Sequence, residues 1–420
     1  MRNPDHGRRV VVTGMGVISP VGNDTRTAWR NLMNGVSGIG PLTRFDASAS
    51  DHPYAGEVRN FEPTQWLSAK DVRRSDRAVH YGVAAAKQAL ADSGLDITDR
   101  NHHEVGVVFG SGGFSQQLVL TNLAAWQERG IRAVNPFFVA NGLVDSAAAM
   151  IAIETGALGH NACMVTSCAT GTHNIAEGAA AIRRGDCVAV IAGSTEAPLL
   201  ELIHVGFVSM HALGSPRPGQ PPADVARPFD RSRDGFVMGE GAGGLLLEDL
   251  AIAKERGARI YAEVVGSGSS SDGYAMAAPA EHGEGSARAM AMALERGRVR
   301  VDDVDLINAH GSSTRLGDRR ESEAIWTVFG DRTPAIAISA TKSQTGHMMG
   351  ATGAFEACAT VMSIYEGCVP ATLNYREPDP ACNLSVVTEA TERPIRFALS
   401  NNLGLGGHNG AILFKRYEGD

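Results

Sequence analysis

The chain has 420 residues, 43% of them hydrophobic and 20% charged, and a formal net charge of −8 at pH 7. This length allows a large core in one or two domains, and the composition is that of an ordinary soluble globular protein. The negative charge argues against a nucleic-acid-binding surface, and no apolar run approaches the length that crosses a membrane.

Predicted strands and helices alternate along the first half of the chain. The patterns favour strands at residues 9–20, 105–109 and 187–192 and helices at residues 23–34, 79–93 and 146–155. The run at 105–109 is apolar on both faces, as in a central parallel strand, and leads into a flexible glycine-rich tip at 110–113. Residues 213–234 are rich in Pro, Asp and Arg, which predicts a surface loop.

The spacing of apolar residues changes from a strand pattern to a helix pattern within residues 161–185, and one cysteine lies at this change. Residues 162–165 have the pattern of a short buried strand, and from residue 169 apolar residues recur at helical spacing as far as Gly185. We therefore expect Cys168 at a sharp strand-to-helix turn, where N–H groups and the helix dipole favour a thiolate and can stabilise an oxyanion. This segment alone is also compatible with a buried structural cysteine, which is the usual state of a free cysteine.

A strand predicted at residues 235–248 closes the first half, and the order of elements then repeats. Further strands are expected at residues 260–265, 304–308 and 336–339, and helices at residues 251–256, 285–296 and 348–366. This repetition predicts an α/β fold made of two similar halves, residues 1–250 and 251–420, packed as one body. Sheets of this class place active groups at the carboxyl ends of their strands.

Two histidine motifs follow predicted strands of the second half. His310 lies in NAHGSST, and KSQTGH carries Lys342 and His347 shortly before Glu356. Each motif alone is compatible with a histidine satisfied in a turn or with a loop that caps a helix. Together with Cys168, however, these residues suit a reaction in which sulfur holds a thioester and two donors stabilise an enolate. A cysteine protease would need only one histidine, with an orienting Asn or Asp.

The segments VTSCATGTHNIAEG, NAHGSST and KSQTGHMMGATGAFE resemble the three active-site motifs of the β-ketoacyl-acyl-carrier-protein synthases. The resemblance runs from about Val10 to Phe414 and is strongest to the type II condensing enzymes of bacterial fatty-acid elongation. It implies a thiolase-like duplicated fold of five αβαβα layers, usually a homodimer, acting with acyl carrier protein. It implies no cofactor and no metal.

The resemblance also implies a role for each matching residue. Cys168 would accept the acyl group, His310 and His347 would drive malonyl decarboxylation and stabilise the enolate, and Lys342 would hold the histidine loop through Glu356. The other implied site residues are the oxyanion-hole N–H groups of Cys168 and Leu405, the acyl-pocket residues Gly113, Leu403 and Leu405, the pantetheine-binding residues Ser312 and Thr314, and the carrier-protein-binding residues Lys70, Arg73, Arg74 and Arg132. The four basic residues are equally compatible with a solvated helix face.

The chain departs from the family pattern at several positions. Leucine stands at 403 and 405, where phenylalanine is usual, and the second of these normally gates the acyl pocket. Gly113 lies where a bulky aliphatic residue often narrows the acyl tunnel, which predicts a wider tunnel here. Ala275 and Ala277 replace His and Thr, and Ser312 replaces Thr, which weakens the expected contacts with the pantetheine arm.

The sequence leaves three other functions open. A ketosynthase of a polyketide or polyene pathway would use the same chemistry, whereas a non-catalytic chain-length-factor-like partner usually lacks the cysteine. A thiolase would need a second cysteine near the C-terminus, where this chain has Gly406-Gly407-His408. The six cysteines are sparse and form no CxxC pair, which predicts a cytoplasmic protein without disulfides or zinc.

Overall fold

The computed structural model describes residues 7–217 and 219–419. Residues 1–6 and 420 at the ends, and residue 218 within the predicted surface loop, lie outside the described part. The described strands are β1 (Val10–Ile18), β2 (Ile39–Pro41), β3 (Tyr54–Gly56), β4 (Val105–Gly110), β5 (Asn161–Ala162), β6 (Ala189–Glu196), β7 (Gly241–Asp249), β8 (Ala262–Ser271), β9 (Val304–Asn308), β10 (Ala337–Ser339), β11 (Cys368–Val369), β12 (Thr391–Glu392), β13 (Phe397–Gly404) and β14 (His408–Lys415).

The α-helices match the predicted positions in both halves and add several that the patterns did not predict. Residue for residue, the helix at 146–155 is as predicted, and the helix after Cys168 ends at Gly185 with φ 83°. The described helices are α1 (Thr25–Met33), α2 (Ala69–Val72), α3 (Arg77–Ser93), α4 (Gln117–Arg129), α5 (Phe138–Asn141), α6 (Ser146–Thr155), α7 (Thr170–Arg184), α8 (Glu201–Ser209), α9 (Leu250–Glu255), α10 (Glu284–Gly297), α11 (Arg315–Phe329), α12 (Lys342–Thr345) and α13 (Thr352–Glu366). None of them combines the length and the apolarity that crossing a membrane requires.

Ten of the described strands form one hydrogen-bonded sheet in the order β10-β9-β13-β14-β8-β1-β7-β6-β4-β5. Five strands come from residues 10–249 and five from residues 262–415. The two groups meet where β1 pairs antiparallel with β8 through only three residues of each strand, Val10–Val12 and Ala262–Val264. This short junction leaves each group of five strands with its own two faces to cover.

Helices cover these faces in layers. α3 and α6 pack on the first group of strands, and α10 packs on β8 and β14 with α11 beside it. α7 and α13 contact strands of both groups and therefore form a middle layer. The predicted five-layered αβαβα arrangement is confirmed.

The two middle helices lie in direct backbone contact. A Cβ atom at Gly171 would lie 2.3 Å from the Ala354 nitrogen, and one at Gly353 would lie 2.7 Å from the Thr172 nitrogen. Side chains other than hydrogen would therefore push α7 and α13 apart. This contact matters for the site because α7 begins just after Cys168 and α13 begins just after His347.

The strand before Cys168 differs from the prediction. β5 contains only Asn161–Ala162, and Met164 and Val165 are 41% and 43% exposed, so the predicted buried strand at 162–165 is wrong. The chain leaves the sheet early because side chains of α7 take its backbone N–H groups. Asn174 Oδ1 accepts from the Met164 nitrogen at 2.8 Å, and Thr170 Oγ1 accepts from the Thr166 nitrogen at 3.0 Å.

The predicted surface loop at 213–234 is only partly at the surface. Its described part buries Arg227, Asp230 and Arg233, each no more than 3% exposed. Arg233 pairs with Asp318 at 3.5 Å and with Asp379 at 2.6 Å. The polar composition therefore reflects buried ion pairs as well as solvent contact.

Candidate active site

Cys168 lies in a 3-10 turn, Ser167–Ala169, immediately before α7, as predicted. Ser167 adopts φ 51°, which gives the turn its sharpness. The glycine loop between β13 and β14 lies directly against this turn, because a Cβ atom at Gly404 would be only 2.5 Å from the Thr166 carbonyl oxygen. In this arrangement the backbone N–H groups of Cys168 and Leu405 both hydrogen-bond towards the Cys168 sulfur.

The Cys168 thiol is buried, and burial determines its protonation. Loss of solvation raises its pKa to about 12, although the Lys342 charge and the N–H groups of Leu405 and Cys168 act to lower it. The thiol is therefore protonated at neutral pH. Desolvation therefore acts against the thiolate that the sequence predicts at this helix N-terminus, whereas the Lys342 charge and the N–H groups act in its favour.

The side chains of His310 and His347 face each other near the turn that carries Cys168. Their ring centroids are 5.3 Å apart and their planes are nearly perpendicular, at 86°. His347 Nδ1 shares a hydrogen bond of 3.1 Å with Thr352 Oγ1, which fixes the orientation of that ring. Burial and the nearby Lys342 charge lower both pKa values well below the usual range, so both rings are neutral at pH 7.

Lys342 is a fully buried cation that connects these elements. Its Nζ donates to the His310 carbonyl oxygen and to Glu356 Oε1, the latter at 2.8 Å. Glu356 also accepts from Asn402 Nδ2 at 2.7 Å and from Thr341 Oγ1 at 3.2 Å. The pair therefore joins the end of β9, the start of α12, α13 and β13 at one point.

A second buried carboxylate holds the backbone of the first histidine motif. Glu321 accepts from the His310 nitrogen at 2.6 Å and from the Gly311 nitrogen at 2.8 Å. Asn401 Nδ2 donates to the same carboxylate at 2.7 Å. Asp318 accepts similarly from the Ser313 nitrogen at 3.0 Å. These contacts give Glu321 and Asp318 a structural role in holding the loop that carries His310.

One cavity of about 420 Å³ brings half of the predicted site residues together. Cys168, His310 and His347 all line it. Ser312, Thr314, Leu403, Leu405 and the substituted position Ala277 line it as well. Lys342 and Glu356 lie behind the histidines and do not line it.

Gly113 and the basic residues lie apart from the lining of this cavity. Gly113 adopts φ 98°, and a Cβ atom there would have no heavy atom within 4 Å among the described residues. Lys70, Arg73 and Arg132 are exposed. Arg74 is half-buried and stacks its guanidinium carbon 4.1 Å from the centre of the Phe137 ring.

The sequence reasoning missed Glu196 at the end of β6. This buried carboxylate accepts from the hydroxyls of Ser111 and Ser115 at 2.6 Å each and from the Gly112 nitrogen at 2.8 Å. It also accepts from the Gly350 nitrogen at 3.1 Å, and so ties the glycine-rich tip after β4 to the segment after His347. A carboxylate that ends an otherwise apolar strand is the one signal that could have indicated it.

The reasoning also missed how the C-terminal glycine loop is held. The Asp272 nitrogen donates to the Gly407 carbonyl oxygen at 2.8 Å, and Asn409 Nδ2 donates to Asp272 Oδ1 at 2.8 Å. This loop carries Leu405, so Asp272 holds one wall of the cavity. Across residues 7–217 and 219–419, no three His, Cys, Asp or Glu side chains are grouped as metal ligands.

Comparisons with known proteins all indicate the same protein family. The profile described as "Beta-ketoacyl synthase, N-terminal domain" matches residues 7–253, and "Beta-ketoacyl synthase, C-terminal domain" matches residues 261–376. The chain is 43% identical over 412 residues to 3-oxoacyl-[acyl-carrier-protein] synthase 2 of Staphylococcus aureus (strain N315), covering 98% of this chain and 99% of that protein.

Two solved structures are also similar. The ishigamide ketosynthase/chain length factor has a TM-score of 0.90 at 35% identity, with 98% of this chain and 99% of that chain covered. The ketosynthase AntDE in complex with the type II polyketide acyl-carrier protein AntF has a TM-score of 0.89 at 30% identity, with coverages of 98% and 100%.

The buried pair predicts a large stability loss when only its cation is removed. Lys342→Met leaves the Glu356 carboxylate uncompensated and should lower the free energy of unfolding by about 3–5 kcal/mol. Lys342→Met with Glu356→Gln removes the buried charge and should recover part of that loss. Urea unfolding measures both variants.

The control for these two variants is Lys87→Met, which breaks the partly exposed ion pair with Glu154. It should lower the free energy of unfolding by about 1 kcal/mol or less. Equal stabilities of Lys342→Met and the wild type would contradict the assigned role of the pair.

The raised pKa of Cys168 predicts the pH dependence of its alkylation. Because the thiolate fraction grows until the pH reaches the pKa of about 12, iodoacetamide should react about tenfold faster for each pH unit between roughly pH 7 and 10. Peptide mass spectrometry measures the rate, with N-acetylcysteine as the unperturbed reference. A plateau near neutral pH would mean that the N–H groups stabilise the thiolate despite burial.

Proposed function

Because the chain belongs to the β-ketoacyl synthase family, we propose that it is a 3-oxoacyl-[acyl-carrier-protein] synthase of fatty-acid chain elongation. It is an acyltransferase that condenses an acyl thioester with malonyl-acyl-carrier-protein, releasing carbon dioxide and 3-oxoacyl-acyl-carrier-protein. The observation that carries this proposal is the shared cavity, in which a protonated thiol and two neutral histidines face the same space.

The first step moves the acyl group to sulfur. Cys168 Sγ attacks the thioester carbonyl and loses its proton, which passes through a neutral imidazole to the departing pantetheine thiolate. The N–H groups of Cys168 and Leu405 stabilise the tetrahedral oxyanion while it forms. Ser312 and Thr314 line the cavity and are the proposed contacts for the pantetheine arm.

The second step forms the carbon–carbon bond. The malonyl group loses its carboxylate as carbon dioxide, and the bonding electron pair moves to an enolate whose oxygen lies between His310 and His347. The enolate carbon attacks the acyl carbonyl on Cys168, and the carbon–sulfur bond breaks. The thiolate that leaves takes up one proton from water, which restores the resting thiol, so each condensation consumes one proton from solvent.

The two halves contribute different parts of this machinery. Residues 1–250 supply the nucleophile, and residues 251–420 supply the two histidines. The backbone contact between α7 and α13 supports the proposal that both halves act as one body. All six cysteines are free thiols, which supports a reducing, cytoplasmic location.

Acyl carrier protein is the proposed partner, for both the acyl and the malonyl substrate. One similar ketosynthase is described in complex with its acyl-carrier protein. Lys70, Arg73 and Arg132 present exposed cations, and Arg74 contributes a stacked one. Because the whole chain carries −8, such a local positive patch is needed to attract an acidic partner.

A ketosynthase of a specialised polyketide or polyene pathway is the second candidate. Leu403 and Leu405 line the cavity in place of bulkier aromatic residues. One similar structure is the ketosynthase of a type II polyketide acyl-carrier protein, and another is a ketosynthase/chain length factor. A non-catalytic chain-length-factor-like role would not use Cys168.

We also propose that the protein is a homodimer. β5 is an edge strand of the sheet. The segment from residue 131 to 165 exposes nine large apolar side chains by 40–81%: Ile131, Phe137, Val139, Leu143, Val144, Ile153, Leu158, Met164 and Val165. Apolar surface of this extent beside a free strand edge favours pairing with a second copy.

Acylation of one cysteine tests the proposed function. Mixing the protein with a long acyl-carrier thioester should add the mass of one acyl group, and Cys168→Ala should abolish that increase. Adding malonyl-carrier protein should then release a product two carbons longer. Cys163→Ala, which changes a nearby half-buried cysteine, should still be acylated. Absence of acylation with every thioester would reject the proposal.

The apolar face predicts the oligomeric state. Wild-type protein should sediment as a dimer, and Val165→Asp should shift it towards monomer because a desolvated carboxylate is costly at an interface. Val36→Asp is the matched control, since Val36 is 41% exposed and Val165 is 43% exposed. A monomeric wild type, or a dimer unaffected by Val165→Asp, would contradict this proposal.

A further inference from the structure

The Cys168 turn is part of an apolar cluster that extends away from the polar side of the cavity. Leu199, Phe207 and Met349 are buried members of this cluster together with Cys168. Phe207 and Met349 also line the cavity. An acyl chain on the sulfur would gain free energy by entering this apolar side, because each buried methylene leaves water.

Phe114 lies behind Phe207 on this path. Its half-buried side chain packs against the same cluster, and its ring centroid is 5.8 Å from that of Phe207, with the planes inclined by 36°. Phe114 does not line the cavity itself. The Phe114 ring therefore lies directly behind Phe207, a residue of the cavity wall.

Hydrogen bonds from the backbone of Gly113 and Phe114 hold this segment in place. The Phe114 nitrogen donates to Glu196 Oε1 at 3.2 Å, and the Gly113 nitrogen donates to Ser111 Oγ at 3.1 Å. Glu196 is buried and holds the rest of the same tip. Gly113 contributes no wall to the pocket, because the direction of its missing side chain is open.

We propose that Phe114 forms the far end of the acyl pocket and sets the longest acyl chain that Cys168 accepts. This inference rests on the proposed function and adds a residue that determines its substrate range. It also qualifies the wider tunnel expected from Gly113, since the aromatic ring of the next residue closes the path that the glycine leaves open.

Acylation rates across a series of saturated acyl-carrier thioesters of increasing length test this inference. In Phe114→Ala the limiting length should increase by at least one two-carbon step. The first chain beyond the wild-type limit should react about tenfold faster, because two more methylenes are buried. Phe114→Trp should shorten the limit. Short thioesters should acylate every variant at the wild-type rate, which establishes that the nucleophile is intact.

Phe61→Ala is the matched control. Phe61 is a half-buried phenylalanine that packs edge-on against Tyr81, at 5.0 Å, in a separate cluster. This variant should keep the wild-type limit. An unchanged limit in Phe114→Ala and Phe114→Trp, with wild-type protein normally acylated, would overturn the inference alone. A wild type that no thioester acylates would instead remove the proposed function and this inference with it.

Discussion

The active site depends on one buried ion pair. Lys342 and Glu356 are 2% and 0% exposed, so each charge has lost its water and is tolerated only because the other is present. Lys342 donates to the His310 carbonyl oxygen, and Glu356 accepts a hydrogen bond from Asn402 in β13. Burial lowers the pKa of both histidine rings, and the Lys342 charge lowers it further. One interaction therefore joins four elements and contributes to the neutral state of both rings.

The contact between α7 and α13 provides the second constraint. Gly171 and Gly353 let the two helices approach until their backbones touch, and the N-terminal ends of these helices carry Cys168 and His347. Neither half of the sheet could bring a thiol and two imidazoles together alone. The thiol consequently lines one cavity with both imidazoles, and the N–H groups of Cys168 and Leu405 are directed towards its sulfur.

The sequence predicted the elements and residues whose evidence is local. The helix at 146–155 and the strand at 304–308 have clear periodicity and were placed correctly. The motifs predicted that Cys168, His310 and His347 meet, and the cavity contains all three. Features that depend on distant contacts were missed. β5 is short because side chains of α7 accept hydrogen bonds from the N–H groups of the residues that follow it. The pKa of Cys168 is raised by burial, and the partners of Glu196 lie more than 80 residues away in the chain.

The position of β1 in the sheet has a consequence for synthesis of the chain. β1 leaves the ribosome well before both of its neighbours, because β7 and β8 begin only at Gly241 and Ala262. Its apolar residues must therefore remain without their final partners while the long segment between β1 and β7 is made, and such exposed strands are prone to aggregation. The wall that carries Leu405 is completed later still, by the C-terminal hairpin. A nascent chain that stalls before this hairpin already contains Cys168 but lacks the loop that carries Leu405.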